Sequence, residues 1–375
     1  MPNNDDELEL DPWGSVEVDE DDQEIFDQFG IDEWDEDEFP EFDHRLSDRG
    51  MIIGHRDFDR VYDEMEDGEF INMTGIASSG DLHMGHKVVL DLFTYFQDQG
   101  AETYFAVADL DALTTRDDIH SLDDVEESVV NNLANAMSLG VDPENIYLQS
   151  QKGGNYKNLA FESGDAMTFN EFESTYGVEE GDTLGKASGV MLQMADILHP
   201  QLPENEGEMP SITGVSLDQD PHMRTVRDVA RKLPYDFEAP SSIYIAQQAG
   251  LQEGKKMSSS EPETAIFLDD SYDEMIRKLE GAKTGGRSSA AEQREKGGVP
   301  EDCKFYEAAL YHLEDDDAVE EMYGDCVSGE NLCGECKAVY APQIADEIAE
   351  VLSDYEENLA EARQLVSEAY HGEVN

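Results

Sequence analysis

Basic residues are the scarcest resource of this chain: 24 Lys and Arg stand against 89 Asp and Glu in 375 residues, a formal charge of −65. In dilute buffer such self-repulsion opposes a compact state, whereas at roughly molar salt the Debye length shrinks to about 3 Å and the repulsion is largely screened. The balance therefore points to a salt-loving host. The acids are spread along the chain, as in "LDDVEESV" and "EDDDAVEE", and none falls in the spacing of an EF-hand loop, which argues against a calcium-binding or nucleic-acid-mimicking protein. Long apolar runs are also missing. No stretch approaches about eighteen consecutive apolar residues, and the opening "MPNNDDELEL" is acidic where a signal peptide is basic and then apolar, so the expected location is cytoplasmic, with no membrane partner. Tryptophan occurs twice, at 13 and 34, and cysteine only four times.

What is present is the composition of a folded protein: 39% hydrophobic and 9% aromatic residues in a chain long enough for two or three domains. Residues 1–45 hold both tryptophans among acids and read as a tethered, acidic N-terminal extension with a short helix at "IFDQFG". From Phe70 short apolar runs alternate with helix-period segments: "FINMTGI", "GHKVVLDLFTYFQDQG", "TYFAVADL", "LDDVEESVVNNLANAMSLG", "NIYLQS", then "GVMLQMADIL", "SITGVSL" and "DPHMRTVRDVARKL". That alternation predicts an α/β fold, a doubly wound parallel sheet with helices on both faces, over residues 46–270. Residues 271–375 read as helical, with "YDEMIRKLEG", "FYEAALYHL" and one long helix "PQIADEIAEVLSDYEENLAEARQLVSEAY" around a Gly/Ser-rich basic break.

"TGIASSGDLHMGHKV" lies where the first strand of the alternation hands over to a helix, the place where open α/β sheets bind nucleotides. His83 and His86 are three apart on one face of the helix's first turn, beside free N–H groups, and Gly85 lets a ring approach the backbone. Two imidazoles there suit a phosphoryl transition state, although a lone His-x-x-His is more often two surface histidines. A second element, "EGKKMSSSEPETAIFLDD", is poor core material and suits closure over a triphosphate, with Lys256 as point charge and the serines as donors. Together "HMGH" and "KMSSS" resemble the paired signatures of class I aminoacyl-tRNA synthetases, which implies a Rossmann-like catalytic domain with a helical C-terminal anticodon-binding domain. It also implies attack of an amino-acid carboxylate on the α-phosphate of ATP, supplied with Mg2+, and then transfer to tRNA.

"VADLDAL", "MLQMADIL" and "LDQDPHMRTVRDVA" resemble the tryptophanyl/tyrosyl subgroup, and the last is most similar to tryptophanyl-tRNA synthetases of the archaeal and eukaryotic kind, over about His55 to Asp270. The resemblance implies catalytic roles for His83, His86, Lys256 and Ser258. It places ATP contacts at Gly75, Gly85, Asp218, Met257, Ser259 and Ser260, and amino-acid contacts at Asp111, Gln193, Asp196 and Gln219. Asp196 matches the carboxylate that accepts the indole N–H in the bacterial form, a sensible partner for a donor-only ring. The chain departs from the pattern at Ser78 in place of proline, at Ser259 in place of a second lysine, and at Met73 and Ala106 where archaeal and eukaryotic enzymes place a tyrosine and a glutamine on the indole. Tyrosine thus stays open as substrate, since a carboxylate also takes a phenol O–H, and so does a non-charging paralogue that binds RNA or nucleotide.

Cys303, Cys326, Cys333 and Cys336 follow C-x22-C-x6-C-x2-C. In a cytoplasmic chain this reads as a metal site, a structural zinc or an iron–sulfur cluster, which spacing alone does not separate. The resemblance implies a [4Fe–4S] cluster, because some bacterial tryptophanyl-tRNA synthetases hold one in the anticodon-binding domain with this spacing, and it implies a homodimer. Lys304 and Lys337 would then stand beside the tRNA anticodon. Arg277, Lys278, Lys283, Arg287, Arg294 and Lys296 cluster after the Lys/Ser-rich loop and read equally as a phosphate track or a solvated linker.

Overall fold

The computed structural model describes residue 26 and residues 28–78, 80–115, 119–177, 181–254, 257 and 261–372. Two compact units divide the chain: Met1–Ser79, Leu92–Glu126 and Val141–Gln247 form the first, and Gly80–Asp91, Glu127–Gly140 and Gln248–Asn375 the second.

Among the described residues of the first unit seven strands form one sheet: β1 (Asp32–Glu33), β2 (Ile52–Arg56), β3 (Ile71–Ala77), β4 (Glu102–Ala108), β5 (Ile146–Leu148), β6 (Ser211–Ser216) and β7 (Ser241–Ile245). Their order is β1-β2-β7-β6-β3-β4-β5. β3 and β4 are buried over most of their length, as strands covered on both faces must be, and pair in parallel from Ile71↔Glu102 to Ala77↔Ala108. The chain runs outward from β3 to β5, then returns to the other side of β3 with β6 and β7, all parallel. This is doubly wound topology, and its switch point lies between the carboxyl ends of β3 and β6.

The sheet is mixed rather than wholly parallel. β2 pairs antiparallel with β7, and β1 antiparallel with β2. These strands precede the strand–helix–strand alternation that begins at β3, and antiparallel pairing needs no crossover helix, so nothing obliges them to run parallel. A Cβ at Gly54 would lie 2.8 Å from the Asp32 carbonyl oxygen, so glycine there lets β1 approach β2. Trp34 packs against Phe39, Phe42 and Phe58 with ring centroids 4.9, 5.1 and 5.4 Å away. The described part of the N-terminal extension is therefore built into the first unit, not tethered to it.

On one side of the sheet Ile71, Met73 and Ala106 pack with Val190, Met194 and Ala195 of the helix Leu184–Leu198 and with Val226 and Val229 of the helix Asp220–Lys232. In the second unit the described residues from 248 onward contribute helices Tyr272–Gly281, Ala290–Lys296, Lys304–His312, Asp316–Ser328, Cys333–Val351 and Tyr355–His371. The single long C-terminal helix read from periodicity is two helices, broken after Val351. Residues 352–354 carry turn formers Ser353 and Asp354, whose competing side-chain hydrogen bonds weaken a helix interior. The first of the two starts earlier, at Cys333, and takes Pro342 inside it.

Candidate functional site

In the first unit Asp196 lies on the helix Leu184–Leu198, 4% exposed among apolar neighbours. Three side chains donate to it: Tyr147 Oη (2.8 Å) and Tyr156 Oη (2.7 Å) to Oδ1, and Gln149 Nε2 (2.6 Å) to Oδ2. Burial pushes its pKa up to about 7, against the pull of these donors, and nearby Asp111 adds to the rise. The Asp111 amide donates to Gln149 Oε1 (3.1 Å), which fixes the orientation of that amide, and Gln193 bonds the Asp111 side chain. Asp111 is itself pushed up to about 6 by burial. The structure thus brings Asp111, Gln193 and Asp196 together. Met73 and Ala106, 3% and 1% exposed, join the same apolar cluster as the helix of Asp196.

Sequence reasoning missed Tyr147, Gln149, Tyr156 and His199. His199 has Nδ1 at 3.1 and 3.0 Å from the carbonyls of Ala195 and Asp196, so it carries a proton there, and its ring meets those of Tyr147 and Tyr156 edge-on at 5.1 and 5.2 Å. Lys152 Nζ sits 4.1 Å over the Tyr147 ring. One signal was available: in "NIYLQS" the strand alternation puts Tyr147 and Gln149 on one side, and both turn to Asp196.

The switch point carries Gly75 and the turn after β6. A Cβ on Gly75 would come 2.9 Å from that of Ala106, so the close approach of β3 and β4 requires glycine there. Asp218 accepts from Ser216 Oγ and from Gln219 Nε2 (2.7 Å), which joins two of the expected site residues.

His83 and His86 belong to the second unit. The Gly85 N–H donates to His83 Nδ1 (3.2 Å) and the His83 N–H to His86 Nδ1 (3.1 Å), so both neutral rings carry their proton on Nε2. Their centroids are 4.0 Å apart. Each keeps part of its surface in water, yet burial lowers His83 to about 3, with His86 contributing, and His86 to about 4. A Cβ at Gly85 would meet His83 Cε1 at 3.1 Å and the Met257 methyl at 3.5 Å. The Met84 N–H donates to Ile266 O (3.0 Å) and the Leu268 N–H to Leu82 O (2.9 Å), so "HMGH" is stitched to the segment after the Lys/Ser-rich loop. Lys256, Ser258, Ser259 and Ser260 lie outside the described residues.

The four cysteines, also in the second unit, line one cavity of about 20 Å³ with Gln293, Phe305 and Met322. Cys303 caps the helix Lys304–His312, accepting from the Tyr306 N–H at 3.4 Å. A Cβ on Gly286 would come 2.9 Å from Cys333 Sγ, and one on Gly298 2.7 Å from Cys326 Sγ, so glycines make room for both sulfurs. Burial, then the other three sulfurs, push Cys336 up to about 12. Among the described residues no three of His, Cys, Asp or Glu close on a point as ligands of a single metal ion.

The basic cluster is engaged internally. Arg277 pairs with Glu263 and Glu274, Lys278 with Asp270, Lys283 with Glu253, Arg294 with Glu335, and Lys296 with Glu292. Arg287 donates to the Gly297 carbonyl. Lys337 turns inward to the carbonyls of Glu280 and Ala282, capping a helix end, and Lys304 pairs with Glu307.

The family described as tRNA synthetases class I (W and Y) matches residues 65–348. A tryptophan–tRNA ligase of Methanocaldococcus jannaschii is 39% identical over 338 residues, covering 88% of this chain and 89% of that protein. One from Aeropyrum pernix is 38% identical over 370 residues, covering 95% and 96%. The crystal structure of tryptophanyl-tRNA synthetase from Aeropyrum pernix superposes with a TM-score of 0.84 at 36% identity, over 96% of this chain and 98% of that one. The chain belongs to the class I tRNA synthetases of the tryptophanyl/tyrosyl group. Among the described residues no helix is long and apolar enough to cross a membrane.

Proposed function

We infer that this protein is a tryptophan–tRNA ligase, which activates L-tryptophan with ATP and transfers it to the 3′ end of tRNA(Trp). The observation that carries the reading to the amino acid is Asp196: a buried acceptor in an apolar setting suits a ring whose only polar group is a donor. Gln193, Asp111 and Gln219 hold the amino and carboxylate groups. Gly75 and Asp218 border ATP, whose phosphates enter with Mg2+. His83 and His86 act as neutral Nε2–H donors to the transferring phosphoryl group, joined by Lys256 and Ser258, while Gly85, Met257, Ser259 and Ser260 line the nucleotide. Catalysis is positioning and charge stabilisation, with no covalent enzyme intermediate. In function, residues 46–270 are the catalytic segment and 271–375 the tRNA-binding segment.

The four-thiol set of Cys303, Cys326, Cys333 and Cys336 suits a [4Fe–4S] cluster, with a structural zinc as the alternative. Four thiols around one cavity, with glycines beside two of the sulfurs, match the donor set. Its role is structural. Exposed Phe161, Phe169 and Leu184, at 74%, 66% and 88%, lie on three helices of the first unit and suit a homodimer contact. The composition suits a salt-rich cytoplasm.

ATP–pyrophosphate exchange in about molar potassium chloride, with tryptophan and tyrosine supplied separately, tests the reading. Exchange with tryptophan alone is expected; exchange with tyrosine alone overturns the substrate, and none with either overturns the enzyme.

A further inference from the structure

We propose that Tyr147, Tyr156 and Gln149 are specificity-determining positioning residues, whose three hydrogen bonds to Asp196 leave it one acceptor site that fits an indole N–H better than a phenol. The inference rests on the reading of Asp196 as the group that meets the substrate ring.

An ionised carboxylate offers about four lone-pair sites. Two on Oδ1 are taken by Tyr147 and Tyr156, and one on Oδ2 by Gln149, so one on Oδ2 remains. Indole brings a donor and no acceptor, and that single site satisfies it. A phenol brings a donor and also an oxygen that seeks a donor in return. Both tyrosine hydroxyls already point at Asp196, and Gln149 directs one of its two N–H groups there and cannot turn, because its oxygen is held by the Asp111 amide. With both hydroxyls committed, a phenol oxygen meets a poorer set of donors than an indole N–H meets of acceptors, and that difference makes the site disfavour the phenol. Phenylalanine fails for the converse reason, leaving the carboxylate site unpaired. Lys152 over the Tyr147 ring and His199 edge-on to both tyrosines hold the rings that aim the hydroxyls.

Pyrophosphate exchange with wild type, Tyr147→Phe, Tyr156→Phe and Asp196→Asn tests this, followed from pH 5.5 to 8.5. Asp111, Lys152, His199 and the two tyrosines are the titratable groups facing Asp196. Each Tyr→Phe variant is expected to raise the KM for tryptophan about tenfold, leave kcat and the KM for ATP within about threefold, and move the acid limb of kcat/KM for tryptophan up by about one pH unit. The preference for tryptophan over tyrosine should fall with it, because a protonated Asp196 donates to a phenol oxygen. Unchanged tryptophan KM and acid limb in both Phe variants, with Asp196→Asn damaged, would overturn the network while sparing the site. Equal losses for ATP and tryptophan would also overturn it, as a merely structural role. An Asp196→Asn enzyme with unchanged tryptophan KM would sink the reading of Asp196 itself.

Discussion

His83 and His86 work as donors only while neutral and tautomerically fixed. Two backbone N–H groups occupy their Nδ1 atoms, and burial lowers their pKa values to about 3 and about 4 from an ordinary 6.5. A lowered pKa means the proton is taken up only when pH falls towards those values, so kcat should stay flat from pH 8 down to about 5. Steady-state exchange at saturating ATP and tryptophan checks this; an acid limb in kcat near pH 6.5 would show imidazolium forming at the ordinary value. His86→Ala should lower kcat about a hundredfold or more, with the KM for tryptophan little changed, as expected for a donor used in the transition state. At this scale the sequence was legible where a residue belongs to a compact motif. His83, Gly85 and His86 lie within one turn, and Asp196 stands out as an acid in an apolar helix. Its partners were not, because Tyr147, Gln149 and Tyr156 come from a strand end and a different helix, 40 to 49 positions away.

Elements in this chain are joined at points that short windows do not show. β3 and β4 were readable as continuous apolar runs, but β7, "SSIYI", opens on two serines directly after Pro240, and β2 carries Gly54 and His55, so neither shows the apolar pattern of a buried strand. β2 is secured through the turn that follows it. Asp57 sits at φ 54°, in the left-handed region, accepts from Arg227, and offers its carbonyl to Ser241 Oγ (2.8 Å). Arg227 is 9% exposed. Asp57→Ala should therefore cost about 3 kcal/mol, leaving a buried guanidinium without its carboxylate in a backbone conformation alanine also dislikes. Asp57→Asn, which tolerates that conformation and keeps an acceptor, should cost less; denaturant unfolding of both checks the order. The cysteine element carries a compositional test. Anaerobically purified protein is expected to hold about four iron and four sulfide per chain, and Cys336→Ser to lose both. Zinc without sulfide in the wild type, or full iron in the variant, would remove the cluster.

At the scale of the whole molecule, charge is the term that no local contact balances. Even if all 24 basic residues paired, 89 − 24 = 65 acids would remain. The pairs that do form, such as Arg277 with Glu263 and Arg294 with Glu335, are largely exposed and each contributes about 0 to 1 kcal/mol. Salt weakens those pairs and the repulsion together. If the pairs dominated, potassium chloride would destabilise the fold; with 65 uncompensated acids the repulsion should dominate and salt should stabilise. Screening also has a range. The Debye length falls from about 10 Å at 0.1 M to about 3 Å at 1 M, by which point charges on separate elements no longer sense one another. The melting temperature should thus climb by about 10 °C or more between 0.1 and 1 M potassium chloride, then flatten. Chloride is the choice because sulfate would add stabilisation by strengthening apolar burial. A melting temperature that fell with potassium chloride would show that the ion pairs outweigh the repulsion; one that kept rising steeply beyond 1 M would point to bound ions rather than screening.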